Sequence, residues 1–426
     1  MSHFLRRNVK NGILVYTDIV CTVQNMNTPA IREKGNVRLP GPGSCPDRVS
    51  KMKYREFGKL GITGSAFGLG CMRFNGKASG DSIIDEEKAI SLIRRAIDGG
   101  VTYIDTAYVY LDQTSEIVLG KALRDGYRDR VTIATKVPVE HVKSREDMEK
   151  VFASELEKLQ TDHIDFYLMH AINRERWDYF KSIGAPAFFD ELKKSGKIRF
   201  KCFSFHGPYD EFEYILKDYD WDMVQIQYNF MDVNNQAGTK GLELAGSMGI
   251  PVVIMEGLLG GRLAKAPENV QALYDSFPVR RSPVEWAFRW LCNHPEVATV
   301  LSGCNEAEQV DDNLRIFDTV EPGIMSEAEL KLIDDVRDAY NSRIRIGCTG
   351  CRYCMPCPNG VAIPRVFSIW NNMSLYGIDP KEDFGYKEIV KKEQAPANCV
   401  ECGACEAACP QHLSIMESLK QAWKEM

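Results

Sequence analysis

The sequence predicts an α/β architecture: a (β/α)8 (TIM) barrel followed by a small, cysteine-built C-terminal domain. Two observations predict it. From Lys53 to about Phe317, short β-branched runs alternate with longer amphipathic ones, eight times over roughly 265 residues, which is the arithmetic of a (β/α)8 barrel. Behind that stretch, eight of the chain's fourteen cysteines crowd into residues 348–409.

Residues 1–51 contain Leu-Pro-Gly-Pro-Gly-Ser near 39–44 and little periodicity, and read as a poorly ordered leader. A transit peptide and an upstream start codon, with the working chain beginning at Met52, are the two explanations; the second fits better. The strand-like runs are Ser65–Gly70, Thr102–Thr106, Val131–Lys136, Ile164–His170, Arg199–Ser204, Met223–Tyr228, Pro251–Met255 and Ala298–Ser302. Between them, Glu86–Asp98 places Ala89, Ile90, Ile93, Ala96 and Ile97 on one helical stripe, and Arg145–Leu159 does the same with Met148, Phe152, Leu156 and Leu159. An open doubly wound sheet is the alternative, but the glycine fingerprint it needs is reduced to Gly68-Leu-Gly70. Met325–Tyr340 reads as the last helix of the barrel domain (53–341), with Ser326 and Glu329 as a capping box.

The C-terminal domain (342–426) holds two runs, Cys348-x2-Cys351-x2-Cys354-x2-Cys357-Pro358 and Cys399-x2-Cys402-x2-Cys405-x3-Cys409-Pro410. The second has the ferredoxin spacing for [4Fe–4S] clusters, so a ferredoxin-like iron–sulfur domain is expected. Disulfide frameworks belong to short secreted chains, and zinc sites come as separate CxxC pairs without the closing Cys-Pro. The first run has a shorter last gap, which leaves one or two clusters open. In the ferredoxin pattern the fourth cysteine of each run serves the other cluster. That logic groups Cys348, Cys351 and Cys354 with Cys409, and Cys399, Cys402 and Cys405 with Cys357. Phe367, Trp370, Tyr376 and Phe384 lie between the runs and are expected to build a small core. The clusters are either redox-active or structural staples. Cys71, Cys202, Cys292 and Cys304 read as packing residues.

The net charge of −6 and the lack of a basic tract speak against a nucleic-acid partner. No apolar run approaches the roughly 18–20 residues of a membrane span. Thiolate clusters without an export signal point to the cytoplasm.

Chemistry in such barrels sits at the C-terminal ends of the strands. Those ends carry Asp105 and Tyr110 after the second strand, Lys136 after the third and His170 after the fourth. Singly each has a plain structural explanation; in order, at barrel spacing, they form a constellation. Here residues from Tyr54 to about Phe317 resemble the aldo-keto reductases, whose Asp-Tyr-Lys-His tetrad these four match. With the cysteine-rich tail, residues 53–415 look like the iron–sulfur-bearing branch of that family; QYNFMD at 227–232, Gln236-Ala-Gly238 and MEGLLGGRL at 255–263 are similar to its motifs.

The resemblance implies reversible hydride transfer between NADH or NADPH and a small carbonyl or alcohol, with Tyr110 as the proton donor. A nearby lysine ammonium favours the phenolate and so lowers a tyrosine's pKa; Asp105 would hold Lys136, and His170 would orient the carbonyl or share the proton work. The same resemblance assigns Ser204 and Gln227 to the carboxamide, Leu258 and Gly260 to the pyrophosphate, and Ser302, Gln309 and Asn313 to the adenosine end. Phe205 and Met255 replace the family's usual asparagine and tyrosine. No Lys or Arg lies between Ser302 and Asn313 to pair a 2′-phosphate. The loop Ile172–Ala185, with Arg174, Arg176 and Trp177, is expected to shape one substrate wall. Two rivals stand: a non-catalytic redox-sensing or electron-carrier barrel, and an enzyme fed by a redox partner such as a ferredoxin or flavoprotein. The substrate is not named by the sequence.

Overall fold

The computed structural model describes residues 52–74 and 84–426; the leader expected at 1–51 lies outside them. Two short strands, β1 (Tyr54–Glu56) and β2 (Thr63–Ser65), form an antiparallel hairpin. Eight more follow: β3 (Phe67–Gly70), β4 (Tyr103–Asp105), β5 (Thr132–Pro138), β6 (Ile164–Ile172), β7 (Ile198–Phe205), β8 (Met223–Gln227), β9 (Val252–Met255) and β10 (Val297–Ser302). These close into a parallel barrel in the order β10-β3-β4-β5-β6-β7-β8-β9. The eight predicted runs fall on β3–β10, and closure excludes the open doubly wound sheet.

The strands are buried on both faces, as parallel strands under crossover helices must be. Both helices whose stripes the sequence shows start where a side chain satisfies a free backbone N–H. Asp85 accepts from the Lys88 amide at the start of Glu86–Asp98, and Ser144 from the Asp147 amide at the start of Arg145–Leu159. The Ser326–Glu329 capping box forms as expected and opens the helix Glu327–Asn341.

The hairpin was not anticipated, because strands of three residues carry too little alternation to register. It stoppers the barrel. Phe57 packs on Tyr103 and Phe166, near the starts of β4 and β6, at 5.8 and 5.5 Å between ring centroids. Above it, Ala134, Leu168, Cys202, Met223 and Val253 fill the interior. Ligand access is thereby left to the C-terminal ends of the strands.

A second core belongs to the cysteine domain. It is built from Val361, Ile363, Val366, Phe367, Ile369 and Trp370, together with Ile389, Ile415 and Leu419. Two of the aromatics expected in it lie elsewhere. Phe384 opens a helix at the surface and is 57% exposed. Tyr376, at the end of the helix Ile363–Tyr376, stacks toward the barrel domain, 5.7 Å from Tyr340. Among the described residues no helix is long and apolar enough to cross a membrane.

One buried acid outside the cleft makes a testable demand. Glu155 is fully buried, and burial, then repulsion from Glu116, raise its carboxyl far above the usual range against Tyr167, Lys158 and Lys136. The folded chain holds a proton there that the unfolded chain, titrating near pH 4.3, gives up. Its contribution is therefore full below that pH and is lost as pH rises toward the folded value. In Glu155→Gln the denaturation midpoint should gain on the wild type progressively between pH 4 and pH 8. A constant difference across that range would refute the assignment.

Candidate active site

The open end of the barrel holds a cleft of about 450 Å³. Strand ends bound it: Gly70 of β3, Asp105 of β4, His170 of β6, Gln225 of β8, Met255 of β9 and Ser302 of β10, with Tyr110 from the loop after β4. Register brings four neighbouring ends together, since Gly70 of β3 pairs with Asp105 of β4 and Pro138 of β5 with His170 of β6. Lys136 lies behind this wall, fully buried. Its ammonium donates to Asp105 Oδ1 at 2.7 Å, to the Thr106 carbonyl at 2.6 Å and to the Tyr110 hydroxyl at 3.2 Å. The Tyr110 ring meets His170 edge-on at 5.8 Å. The four residues singled out from the sequence are thus one contiguous group.

The segment that aims Tyr110 is strained. Leu111, Asp112 and Gln113 follow it with φ of 52, 51 and 67°, three consecutive non-glycine residues in the left-handed region. Such conformations cost on the order of 1–3 kcal/mol each and persist only where the surroundings over-determine them. Here the Ser115 hydroxyl does so, bonded to Thr106 Oγ1 at 2.8 Å and to the Cys71 carbonyl at 2.9 Å.

Electrostatics assign protonation states. Burial alone would lower the Lys136 pKa, but the facing Asp105 carboxylate and Tyr110 phenol more than offset it, so the ammonium persists. Burial raises the Tyr110 phenol above its ordinary value, against the pull of Lys136. The lowering expected from the lysine is therefore outweighed by loss of water, and the phenol is held protonated. Burial, followed by Lys136, His206 and Arg176, pushes His170 down to about 3, so its ring is neutral.

Of the residues assigned to a nicotinamide cofactor, Leu258, Gly260, Ser302 and Gln309 line the cleft. The other three are turned to protein partners. Ser204 Oγ accepts from the Ala171 amide at 2.7 Å, and Gln227 Nε2 donates to Asp232 at 2.6 Å. Asn313 donates to Ser302 Oγ and Cys304 Sγ. Gln225 is the amide on the wall instead, and its Oε1 is buried without a hydrogen-bond partner among the described residues. Arg73, Glu256 and His206 also line the cleft and were missed. Arg73 stands three residues past β3, where the strand-end rule that found Asp105 would have found it. Met255 is on the wall, whereas Phe205 packs into the core against Phe203 and Phe212.

The expected substrate loop is a correction. Arg174–Ser182 is a helix and supplies nothing to the cleft. Trp177 is buried with Nε1 donating to Asp218, and Arg176 is spent on the Ala171 carbonyl and Glu140. Its amphipathic side packs inward, leaving no free wall.

In the cysteine domain the two runs interleave. Cys348, Cys351, Cys354 and Cys409 line one narrow cavity of about 20 Å³. Cys357, Cys399, Cys402 and Cys405 line another of about 210 Å³, and Cys354 lines both. All eight thiols are free. Among the described residues no three potential ligands converge on a point suited to one ion. Soft thiols spaced around a cavity fit a cluster better than a single zinc.

Comparison with known proteins agrees with both parts. Residues 66–337 match the family model described as "Aldo/keto reductase family", and residues 347–414 the one described as "4Fe-4S dicluster domain". The aldo-keto reductase YhdN of Bacillus subtilis is 38% identical over 159 residues, 35% of this chain and 45% of that protein. The NADH-specific methylglyoxal reductase of Escherichia coli is 24% identical over 68% of this chain and 99% of its own length. Among solved structures, the holo form of aldo-keto reductase AKR11C1 from Bacillus halodurans superposes with a TM-score of 0.56 at 28% identity, covering 67% of this chain and 96% of that one. The chain therefore belongs to the aldo/keto reductase family, with a 4Fe-4S dicluster domain at its C-terminus.

Proposed function

We propose that the chain reduces a small carbonyl compound reversibly at the barrel mouth, with NADH or NADPH as hydride donor, and carries two [4Fe–4S] clusters in its C-terminal domain. The observation that carries this reading is the buried Lys136 ammonium, in contact at once with Asp105 and with the Tyr110 hydroxyl on the wall of the cleft. Reduction of a ketone leaves an alkoxide that needs a proton. Tyr110, protonated and half-buried beside the cleft, supplies it, and Lys136 stabilises the phenolate left behind. Neutral His170 orients the carbonyl oxygen by hydrogen bonding rather than acting as the acid. A bound reduced nicotinamide supplies the hydride. Gln225, with its orphaned Oε1, suits the carboxamide, and Arg73 offers the cation for the phosphates that the 302–313 stretch lacks.

The four-cysteine cavities support one cluster each, with Cys409 and Cys357 crossing between runs. Such clusters supply one-electron storage or cross-linking, and their thiolates suit a reducing compartment such as the cytoplasm. A non-catalytic redox subunit is the second reading. It is favoured by one observation: Ser204, Gln227 and Asn313 are engaged by other protein groups.

Anaerobically purified protein, titrated with NADH and with NADPH under fluorescence detection, is expected to bind at least one of them saturably and to oxidise it when a carbonyl is added. It should contain about eight irons, four per cluster. If neither nucleotide binds, the reductase reading fails; about four irons would remove the second cluster.

A further inference from the structure

The segment after β9 faces both the cleft and the cysteine domain, the latter through Arg262. Leu258, Gly260 and Gly261, on the segment after β9, line the cleft. Gly260 and Gly261 have φ of 67 and 95°, so the chain reverses there through two residues that only glycine adopts freely. Leu263 is buried and anchors the far side. Arg262, between them, is absent from the cleft wall. Its guanidinium instead sits 5.9 Å from the Tyr376 ring centroid and 3.9 Å from Asp383 Oδ2, both in the cysteine domain.

Those two partners are firmly held. Asp383 Oδ1 accepts from the Gly385 amide at 2.7 Å, capping the helix Phe384–Lys391, which leaves Oδ2 to face Arg262. Tyr376 is the last residue of the helix Ile363–Tyr376, against Tyr340 of the barrel domain. The first residue of that helix, Ile363, lines both four-cysteine cavities, and Phe367 lines one of them. Fourteen helical residues span about 21 Å. One rigid helix therefore runs from the cysteines to the segment over the cleft.

We propose that Arg262, Tyr376 and Asp383 are positioning residues, a latch by which the cysteine domain holds the 258–264 segment over the nucleotide. The inference rests on the reading of the cleft as a nucleotide site. Glycine at 260 and 261 gives the segment freedom to lift, and the latch opposes it. Nucleotide release is then slowed from outside the barrel by a domain that contributes no residue to the cleft wall.

The test uses the full-length, cluster-loaded protein. Arg262→Ala and Asp383→Asn should each speed nucleotide dissociation about five-fold, the size expected of one half-exposed ion pair. The double variant should be no faster than either single one, because both remove the same contact, and Arg262→Lys should restore part of the loss. The hydride step in single turnover should stay unchanged while KM for the nucleotide rises. Hydrogen exchange of the 258–264 amides should accelerate in the same variants, with β3 and β4 unaffected. Unchanged exchange in that segment, or additive single effects, would overturn the latch. Should the wild type bind neither NADH nor NADPH, the reductase reading falls, and the exchange measurement alone still decides whether the segment is latched.

Discussion

Tyr110→Phe should lower kcat for carbonyl reduction by about 10²–10⁴, the contribution typical of a positioned general acid. Nucleotide affinity should hold within about two-fold, since the lost interaction is made only as the reaction proceeds. Phenylalanine keeps the ring that meets His170 edge-on and underlies Lys136 at 4.7 Å; only the hydroxyl is removed. No neighbour is suited to take its place. His170, at about 3, carries no spare proton near neutrality. Lys136 is already committed to Asp105 and the Thr106 carbonyl. Because burial raises the phenol, reduction should be level through neutral pH and fall only above tyrosine's ordinary value of about 10. Alcohol oxidation, which needs the phenolate, should rise with pH over the same range. An unchanged kcat in the variant would move the proton donor elsewhere.

Lys136→Met should be the most destabilising single change in the cleft. It leaves Asp105, 2% exposed, without its counter-ion, and breaking a buried pair in this way costs roughly 3–5 kcal/mol. Turnover should collapse as well, since Tyr110 loses the charge that stabilises its phenolate. The double variant Lys136→Met/Asp105→Leu separates the two losses. Replacing both charges by apolar groups of similar volume should recover most of the stability, while the reaction stays dead. Chemical denaturation of the three proteins measures this, and a double variant as unstable as the single would refute the uncompensated-charge account. Recovery of activity in it would refute the catalytic one.

The barrel was legible because its signal is redundant: most strands are buried runs with β-branched residues, the longer helices carry a stripe, and the unit recurs eight times. What escaped were pieces without periodicity. The Tyr54–Ser65 hairpin is too short to alternate, and in the helix Arg174–Ser182 the charged residues mask the buried Trp177 and Phe180, so the segment reads as a loop. At the barrel mouth, residue type and strand end sufficed to pick out Asp105, Tyr110, Lys136 and His170 as neighbours. They did not suffice for Gln227. It shares the inward side of β8 with Gln225, and only the contact to Asp232 tells the two amides apart. Nor did sequence announce that burial would overrule Lys136 in setting the Tyr110 phenol.

The interleaving of Cys357 and Cys409 bears on how this domain can be inherited. Each cavity is lined by at least one thiol from the far run, so neither run is a self-sufficient unit. Transplanting residues around 348–357 alone, or 399–409 alone, would deliver one run without the thiol it takes from the other and leave two incomplete nests. The pair can be gained, lost or moved between barrels only as a whole.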